Sequence, residues 1–287
     1  MFAKILVPLT GAPRDQAVLA GAFAAAKLFD AHLEGLFVKP DPVEAMPFYG
    51  EGMSSAVVQE IMDVSRTAAG KASRQALAFL EGAARENDAT IVESAKPGPK
   101  VTASFREVEG SFSDQVTLAA RLADLVVFGP AKEDDRPGLS DAFDATLIET
   151  GRPVLLISGA GAANFSSKIS VAWNGSVASA HAISAALPFL AKARSVEILT
   201  VKRGSTVPGP TDDLVVYLKL HGITATSRVV EGAGRPIADV LLDAAKSGGS
   251  GLLVAGGYGH SRLRDLFMTG VTKRVVAHAA IPCFLVH

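Results

Sequence analysis

The sequence predicts an α/β protein made of two tandem, doubly wound, open parallel sheets of five strands each. Short apolar runs of strand length alternate with helical segments, a pattern typical of βαβ units whose sheets are covered on both faces. The same order of runs then occurs twice along the 287 residues, which indicates a duplicated unit. We therefore predict an N-terminal domain over residues 1–158 and a C-terminal domain over residues 166–287.

Apolar periodicity places the elements of the first half. Five strands are predicted in the runs AKILVPLTGA from Ala3, HLEGLFVKP from His32, VTASFREVEG from Val101, ADLVVFGP from Ala123 and RPVLLIS from Arg152. Helices are predicted between them at Asp15–Leu28, Ser54–Glu86, Ser113–Leu122 and Asp141–Thr150. The stretch Asn87–Ser104, which contains Pro97-Gly98-Pro99, is predicted to be irregular.

The second half repeats these runs in the same order. KILVPLTG corresponds to KISVAWNG, HLEGLFVKP to SVEILTVKR, REVEG to RVVEG, LVVFG to LLVAG and RPVLLIS to IPCFLVH. Five ordered matches indicate a tandem duplication. The small residues of Gly159–Phe165 form the natural linker between the two copies.

Composition excludes several classes of protein. The net charge of −1 and the pI near 6.6 provide no global basic field for nucleic acid or an anionic membrane. No apolar run reaches the roughly 18 residues of a membrane span, and the chain begins with a strand rather than a signal peptide. The single cysteine, Cys283, excludes an intramolecular disulfide and fits a reducing compartment. We expect a soluble cytoplasmic protein that binds neither nucleic acid nor membrane.

A glycine-rich loop is the strongest functional signal. The apolar run Leu252–Ala255 leads directly into Gly256, Gly257 and Gly259, and a helical segment begins near Gly270. Strand, glycine loop and helix in this order present backbone N–H groups and a helix N-terminus to an anion, most often a phosphate. An ordinary strand-to-helix turn is the alternative.

The spacing of this loop resembles the universal stress protein family, whose nucleotide-binding members carry G-x2-G-x9-G-[S/T]. Gly256 and Gly259 match, whereas Thr269 stands at the third glycine and Gly270 at the Ser/Thr position. The resemblance covers nearly the whole chain as two domains. It implies a Rossmann-like fold of strand order 3-2-1-4-5 and an adenine nucleotide, ATP, in the C-terminal half.

In such a sheet, ligands lie at the carboxyl ends of the strands where the strand order reverses. This places the turn at Asn174 and Gly175 beside the glycine loop. The family usually has Asp at the position of Asn174, so we expect Mg²⁺ to contribute weakly if at all. Val201 resembles the position whose backbone meets the adenine ring. The predicted nucleotide-binding residues are Asn174, Gly175, Val201, Gly256, Gly259, His260, Arg262, Thr269, Gly270, Val271 and Thr272.

Each of these assignments has a structural alternative. Asn174-Gly175 is also a common turn pair, and His260 can bond a neighbouring backbone group. Arg262 can be solvated or paired with Asp265, because surface ion pairs are common. Cys283, in an apolar strand, is expected to be an inert core thiol.

The first half lacks most of the glycine loop. Only Gly129 remains at the first glycine position, Lys132 stands where Gly259 would be, and the segment carries five carboxylates: Glu133, Asp134, Asp135, Asp141 and Asp144. These charges would repel a triphosphate. We therefore expect this half to serve packing or regulation and not to bind nucleotide in the family manner.

No known catalytic motif stands out. The chain has no P-loop, nucleophile elbow or zinc-binding helix motif, so we predict a protein that is not an enzyme, with slow incidental ATP hydrolysis at most. The leading hypothesis is a stress-response protein that acts through nucleotide-dependent conformation or assembly. The alternatives are a nucleotide-free dimeric interaction scaffold and an enzyme of the adenine-nucleotide hydrolase-like fold.

The family resemblance also implies assembly. Family members pair through their fifth strands, so RPVLLIS and IPCFLVH are expected to meet within the chain and cover two open edges. We expect the tandem chain to form a homodimer and to act on a protein partner that the sequence does not identify.

Overall fold

The computed structural model describes residues 1–41, 55–95, 98, 100–130, 137–158, 164–202, 211–257 and 280–287. The chain divides into two compact units. The N-terminal unit comprises Ala3–Val126 and Asp134–Thr150, and the C-terminal unit comprises Met1–Phe2, Val127–Glu133 and Gly151–His287. The last strand of the first half thus groups with the C-terminal unit.

The N-terminal unit is a parallel sheet covered by helices. Its strands are β1 (Lys4–Leu9), β2 (His32–Lys39), β3 (Thr90–Ile91), β4 (Thr102–Glu109) and β5 (Leu125–Phe128, which crosses the unit boundary). They are arranged in the order β3-β4-β2-β1-β5, with every pair parallel. The helices are α1 (Asp15–Phe29), α2 (Ser55–Glu86), α3 (Phe112–Ala120) and α4 (Leu139–Glu149).

Strand β3 corrects the prediction of an irregular stretch after Asn87. Its two residues pair in parallel with β4, Thr90 with Thr102 and Ile91 with Ala103. A strand of two residues is too short to show a periodic pattern in the sequence. It forms because it pairs with β4 and not because of local preference. The exposed Ile91 agrees with a place at the edge of the sheet.

The C-terminal unit contains the complete sheet of the second half. Its elements are β6 (Val154–Leu156), β7 (Lys168–Ala172), α5 (Val177–Lys192), β8 (Ser195–Lys202), α6 (Thr211–Leu220), β9 (Ala225–Glu231), α7 (Ile237–Ser247), β10 (Ser250–Gly256) and β11 (Cys283–Val286). The strands lie in the order β6-β11-β10-β7-β8-β9. From β9 to β11 this is the predicted order 3-2-1-4-5, which confirms the doubly wound α/β fold.

The closing strands of the two halves pair with each other, as the sequence predicts. β6 runs antiparallel to β11, with Leu155 opposite Phe284 and Val154 opposite Leu285. These residues are buried. The pairing covers an apolar strand edge that would otherwise be open to other chains.

A cluster of phenylalanines forms the core beside this pairing. The Phe189 ring centroid lies 5.3 Å from that of Phe2, 5.6 Å from that of Phe165 and 5.7 Å from that of Phe284. Two of these contacts are edge-to-face, the geometry that the aromatic quadrupole favours. The cluster joins the N-terminal Phe2 to α5 and β11.

Both units contain an ion triad at matching positions on three adjacent strands. In the N-terminal unit, Glu34 lies 3.0 Å from Lys4 Nζ and 3.0 Å from Arg106 Nη2. In the C-terminal unit, Glu197 lies 3.1 Å from Lys168 Nζ and 3.0 Å from Arg228 Nη2. These are the residues that the repeated sequence runs place in correspondence.

Among the helices that the described ranges contain, none has both the length and the apolar character needed to cross a membrane.

Candidate functional site

The turn after β7 is built from its own side chains. Gly175 has a φ of +73°, a conformation that glycine adopts without strain. Asn174 Oδ1 accepts a hydrogen bond from the Ser176 backbone N–H at 3.0 Å, and Ser176 Oγ accepts one from the Ser179 N–H at 3.2 Å. Ser176 therefore caps α5. Asn174 and Gly175 thus form the turn that the sequence analysis gave as the alternative to ligand contact. Ligand contact by Asn174 stays a prediction.

Gly256 lies against the first turn of α5. A Cβ on this residue would lie 2.4 Å from the carbonyl carbon of Ala178 and 2.7 Å from the Ser179 nitrogen. These distances are too short for any side chain, so the glycine is required for packing whether or not an anion binds. The carboxyl end of β10 is thus held beside the N-terminus of α5, the kind of position where parallel sheets bind ligands.

Val201 lies near the carboxyl end of β8. It pairs with Val230 of β9 and is buried. Its strand is the immediate neighbour of β7, so the structure brings Val201, Asn174 and Gly175 to one edge of the sheet. Contact between the Val201 backbone and an adenine ring stays a prediction.

Seven predicted site residues lie outside the described residues. They are Gly259, His260, Arg262, Thr269, Gly270, Val271 and Thr272. The part of the site that the structure describes therefore consists of the turn after β7, the end of β8 and the end of β10.

The N-terminal unit stabilises the matching turn differently. Gly11 has a φ of +79°, like Gly175, but here the buried carboxylate of Asp15 holds the turn. Its carboxylate accepts hydrogen bonds from the backbone N–H groups of Thr10 at 2.9 Å and Gly11 at 2.8 Å. Burial raises the pKa of Asp15, and these hydrogen bonds oppose that rise without cancelling it. The carboxylate is engaged within its own turn.

A cavity of about 730 Å³ opens at the carboxyl ends of the strands in the N-terminal unit. Thr10 after β1, Phe37 of β2 and Gly110 after β4 line it, together with Ala72 of α2. Sequence reasoning missed this cavity. The available signal was the run of small residues TAAGKAS in α2, which lets the helix approach the turn until a Cβ on Gly11 would lie 2.4 Å from the Ala72 oxygen.

Charged residues line the same cavity. Asp41 and Asp141 contribute two carboxylates and Arg14 one guanidinium. Carboxylates in this position disfavour a polyphosphate by repulsion, in agreement with the expectation that the first half does not bind nucleotide in the family manner. That expectation stays a prediction.

The single cysteine lies in the core. Burial raises the pKa of the Cys283 thiol to about 12, and the side chain is 1% exposed, so the thiolate that would react is suppressed. This agrees with the predicted core role. Within the described ranges, no group of three or more His, Cys, Asp or Glu residues is placed to hold a metal ion.

A protein-family match covers the second half of the chain. Residues 166–287 match the model of the Universal stress protein family. None of the curated proteins matches the chain.

Solved structures share the fold along the full length. A universal stress protein from Archaeoglobus fulgidus DSM 4304 superposes with a TM-score of 0.63 at 15% identity, covering 99% of this chain and 95% of its own. The cytoplasmic domain of a prokaryotic cation chloride cotransporter gives a TM-score of 0.51 at 13% identity, covering 99% of this chain and 95% of its own. At these identities the likeness concerns the fold, and function has to be argued from the site.

Proposed function

We propose that this protein is a stress-response regulator that binds ATP in its C-terminal half, because residues 166–287 match the model of the Universal stress protein family. One observation carries the proposal. The ends of β7, β8 and β10 converge beside the capped N-terminus of α5, where Gly256 approaches Ala178. A helix N-terminus beside the carboxyl ends of parallel strands favours a phosphorylated ligand.

The nucleotide acts by shifting an equilibrium and not by rapid turnover. A ligand changes a conformational or assembly equilibrium by its difference in affinity for the two states. The sequence carries none of the P-loop, nucleophile-elbow or zinc-helix motifs, so we expect regulation rather than catalysis, with any ATP hydrolysis slow. Asn174 contributes no charge to a cation, so the affinity should depend little on Mg²⁺.

The duplicated architecture supports one nucleotide per chain. The ion triads centred on Glu34 and Glu197 match in position, as tandem copies of one domain would. The groups that hydrogen-bond to the turn differ, however: the buried carboxylate of Asp15 accepts from Gly11 in the first copy, and Asn174 accepts from Ser176 in the second. We expect the first copy to serve regulation, and the whole chain to form a homodimer that light scattering would detect.

A nucleotide-free interaction scaffold is the second candidate. The observation that favours it is that packing against Ala178 fully accounts for Gly256, and turn chemistry accounts for the Asn174 oxygen. Neither feature requires a ligand.

Calorimetric titration separates the two candidates. The full chain, stripped of carried-over ligand, is titrated with ATP with and without Mg²⁺, alongside Gly259→Asp and the control Gly98→Asp. The control adds the same charge at a glycine with open space around it. Saturable binding near one site per chain that only Gly259→Asp abolishes supports the nucleotide regulator. No heat at millimolar ATP from the folded protein supports the scaffold.

A further inference from the structure

Helix α2 of the N-terminal unit is much longer than the strands that it packs on. It contains 32 residues, Ser55–Glu86, which span about 48 Å. The eight residues of β2 span only about 26 Å, and α6, the matching helix of the C-terminal unit, has ten residues. None of residues 56–72 is buried, and burial along α2 begins at Ser73. The first half of α2 therefore contributes no residue to the described core.

One face of this half is open along its length. Ala56, Val64 and Ala68 lie on it and are exposed, and Val64 keeps 65% of its accessible surface. The face lines a groove of about 790 Å³, and every described residue that lines this groove belongs to α2. Helices in proteins owe most of their stability to the packing of a face and not to helix propensity. We therefore looked for a surface that fits this face.

The charged residues beside this face follow an order that is complementary to itself. Glu60 and Asp63 come first along the helix, and Lys71 and Arg74 follow. With 3.6 residues per turn, all four lie within a stripe about 80° wide on the helix surface. Asp63 also lies 3.7 Å from Arg66 of its own helix, an exposed pair of the kind that contributes little. The stripe thus has an acidic half and a basic half.

Two copies of such a helix fit together when they run in opposite directions. Antiparallel helices bring the same flank of each together, so the acidic half of one faces the basic half of the other. A two-fold axis near Thr67 places Glu60 opposite the partner's Arg74 and Asp63 opposite the partner's Lys71. A parallel arrangement would instead set like charges against each other, which is unfavourable.

We propose that the exposed face of α2 pairs antiparallel with the α2 face of a second copy of this chain. The two-fold axis makes the contact self-complementary and closed, which limits the assembly to a dimer. The pairing covers Val64 and neutralises both halves of the charged stripe. This inference rests on the homodimer that is part of the proposed function, and it requires no nucleotide.

The test reverses the two halves of the stripe in separate variants of the full chain. Glu60→Lys with Asp63→Lys makes the stripe wholly basic, and Lys71→Glu with Arg74→Glu makes it wholly acidic. Each variant alone should weaken self-association by about tenfold or more, because like charges then face each other. An equimolar mixture of the two variants should restore the dimer, since each supplies the charge that the other lacks. Light scattering over a concentration series measures the mass against that of the 29.7 kDa chain.

The matched control is Glu93→Lys with Glu149→Lys. Both glutamates are exposed, and neither lies on α2, so this variant carries the same change in net charge away from the interface. It should dimerise like the unmodified chain. Far-ultraviolet circular dichroism verifies that every variant is folded.

Three results would count against the inference. If the unmodified chain is a monomer at every concentration, the inference and the expected homodimer both fail, while the calorimetric titration with ATP still decides nucleotide binding. If both charge variants are folded and dimerise as strongly as the unmodified chain, the homodimer stands but uses another surface. If the mixture of folded variants stays monomeric, the order of charges does not direct the pairing and the inference is wrong.

Discussion

At the scale of the residue, two separate requirements favour glycine at position 256. The glycine motif suggests an anion, and the structure adds a steric reason, because a Cβ would lie 2.4 Å from the backbone of Ala178. The neighbouring Gly257 has room, since its Cβ would lie 3.5 Å from the Val286 oxygen. Two glycines next to each other in sequence therefore have different structural roles.

This difference is testable with two alanine substitutions. Gly256→Ala should destabilise the C-terminal unit by about 1–3 kcal/mol, because α5 has to shift to admit the methyl group. Gly257→Ala should change stability by less than about 0.5 kcal/mol. Urea unfolding followed by the fluorescence of Trp173, the single tryptophan, measures both. Equal losses would contradict the steric explanation.

His32 couples the stability of the N-terminal unit to pH. Its Nδ1 lies 2.8 Å from Thr102 Oγ1 and its Nε2 lies 2.9 Å from Ser104 Oγ. Burial lowers the pKa of this imidazole, with Glu34 raising it and Lys4 lowering it further by smaller amounts. The folded state therefore binds the proton less readily than the unfolded chain does.

We expect stability to fall as pH falls below the ordinary histidine value of about 6.5. Above that pH the contribution of neutral His32 to the free energy of unfolding is fully present. As the pH falls this contribution is lost, because the unfolded chain binds a proton that the folded chain does not bind. His32→Gln should flatten this dependence between pH 7.5 and pH 5 in urea unfolding followed by circular dichroism. His181→Gln, exposed on α5, is the control. An unchanged slope in His32→Gln would rule out this explanation.

At the scale of the element, the ion triads tie three parallel strands together at one position in each unit. Burial pushes the pKa of Glu197 upward, but the hydrogen bond from Arg228 and that from Lys168 outweigh it, so the pKa lies below its usual value. Arg228 also donates to the Ala244 oxygen at the end of α7, at 2.8 Å. The triad therefore links the sheet to a helix as well as strand to strand.

Removing the central charge should loosen this link. Glu197→Gln leaves Lys168 and Arg228 close together without a counter-charge, and we expect a loss of about 1–3 kcal/mol. Glu231→Gln is the matched control, since this glutamate pairs with Lys202 but its side chain is 72% exposed; surface pairs contribute little. The Trp173 fluorescence transition in urea measures both. A loss no larger than that of the control would show that the triad is not a stabilising link.

At the scale of the whole molecule, the first half of the chain completes the sheet of the second. Its closing strand β6 pairs with β11 and groups with the C-terminal unit. The sequence repeat places the domain boundary in the linker between residues 158 and 166. The compact units instead place β6 with the strand that it pairs with. A fragment beginning at residue 166 would lack this strand.

Leu156→Pro tests the contribution of this pairing. The Ile157 N–H donates to the Phe128 oxygen of β5, so the N–H of Leu156 points to the opposite side, toward β11, where Leu156 pairs with Cys283. Proline removes this N–H, and we expect a loss of about 1–3 kcal/mol in the transition reported by Trp173. Ile91→Pro, on the exposed edge strand β3, should leave that transition in place. If Leu156→Pro unfolds at the same urea concentration as the unmodified chain, the pairing of β6 with β11 does not stabilise the C-terminal unit.

The sequence by itself determined the alternation of strands and helices, and with it the parallel sheets covered by helices. These features are local: apolar periodicity distinguishes strand from helix, and the repeat aligns Lys4 with Lys168 and Leu9 with Trp173. The long helix predicted over Ser54–Glu86 is found at Ser55–Glu86 for the same reason.

Only the tertiary structure decided which distant groups meet. Strand β3 exists through its pairing with β4, Gly256 is required by a helix that precedes it by many residues, and the cavity depends on how closely α2 approaches Gly11. That Trp173 Nε1 and Thr200 Oγ1 have no hydrogen-bond partner among the described residues likewise follows only from the positions of their neighbours. Local patterns record the preference of a segment, whereas contact, burial and hydrogen-bond satisfaction depend on the packing of the folded chain.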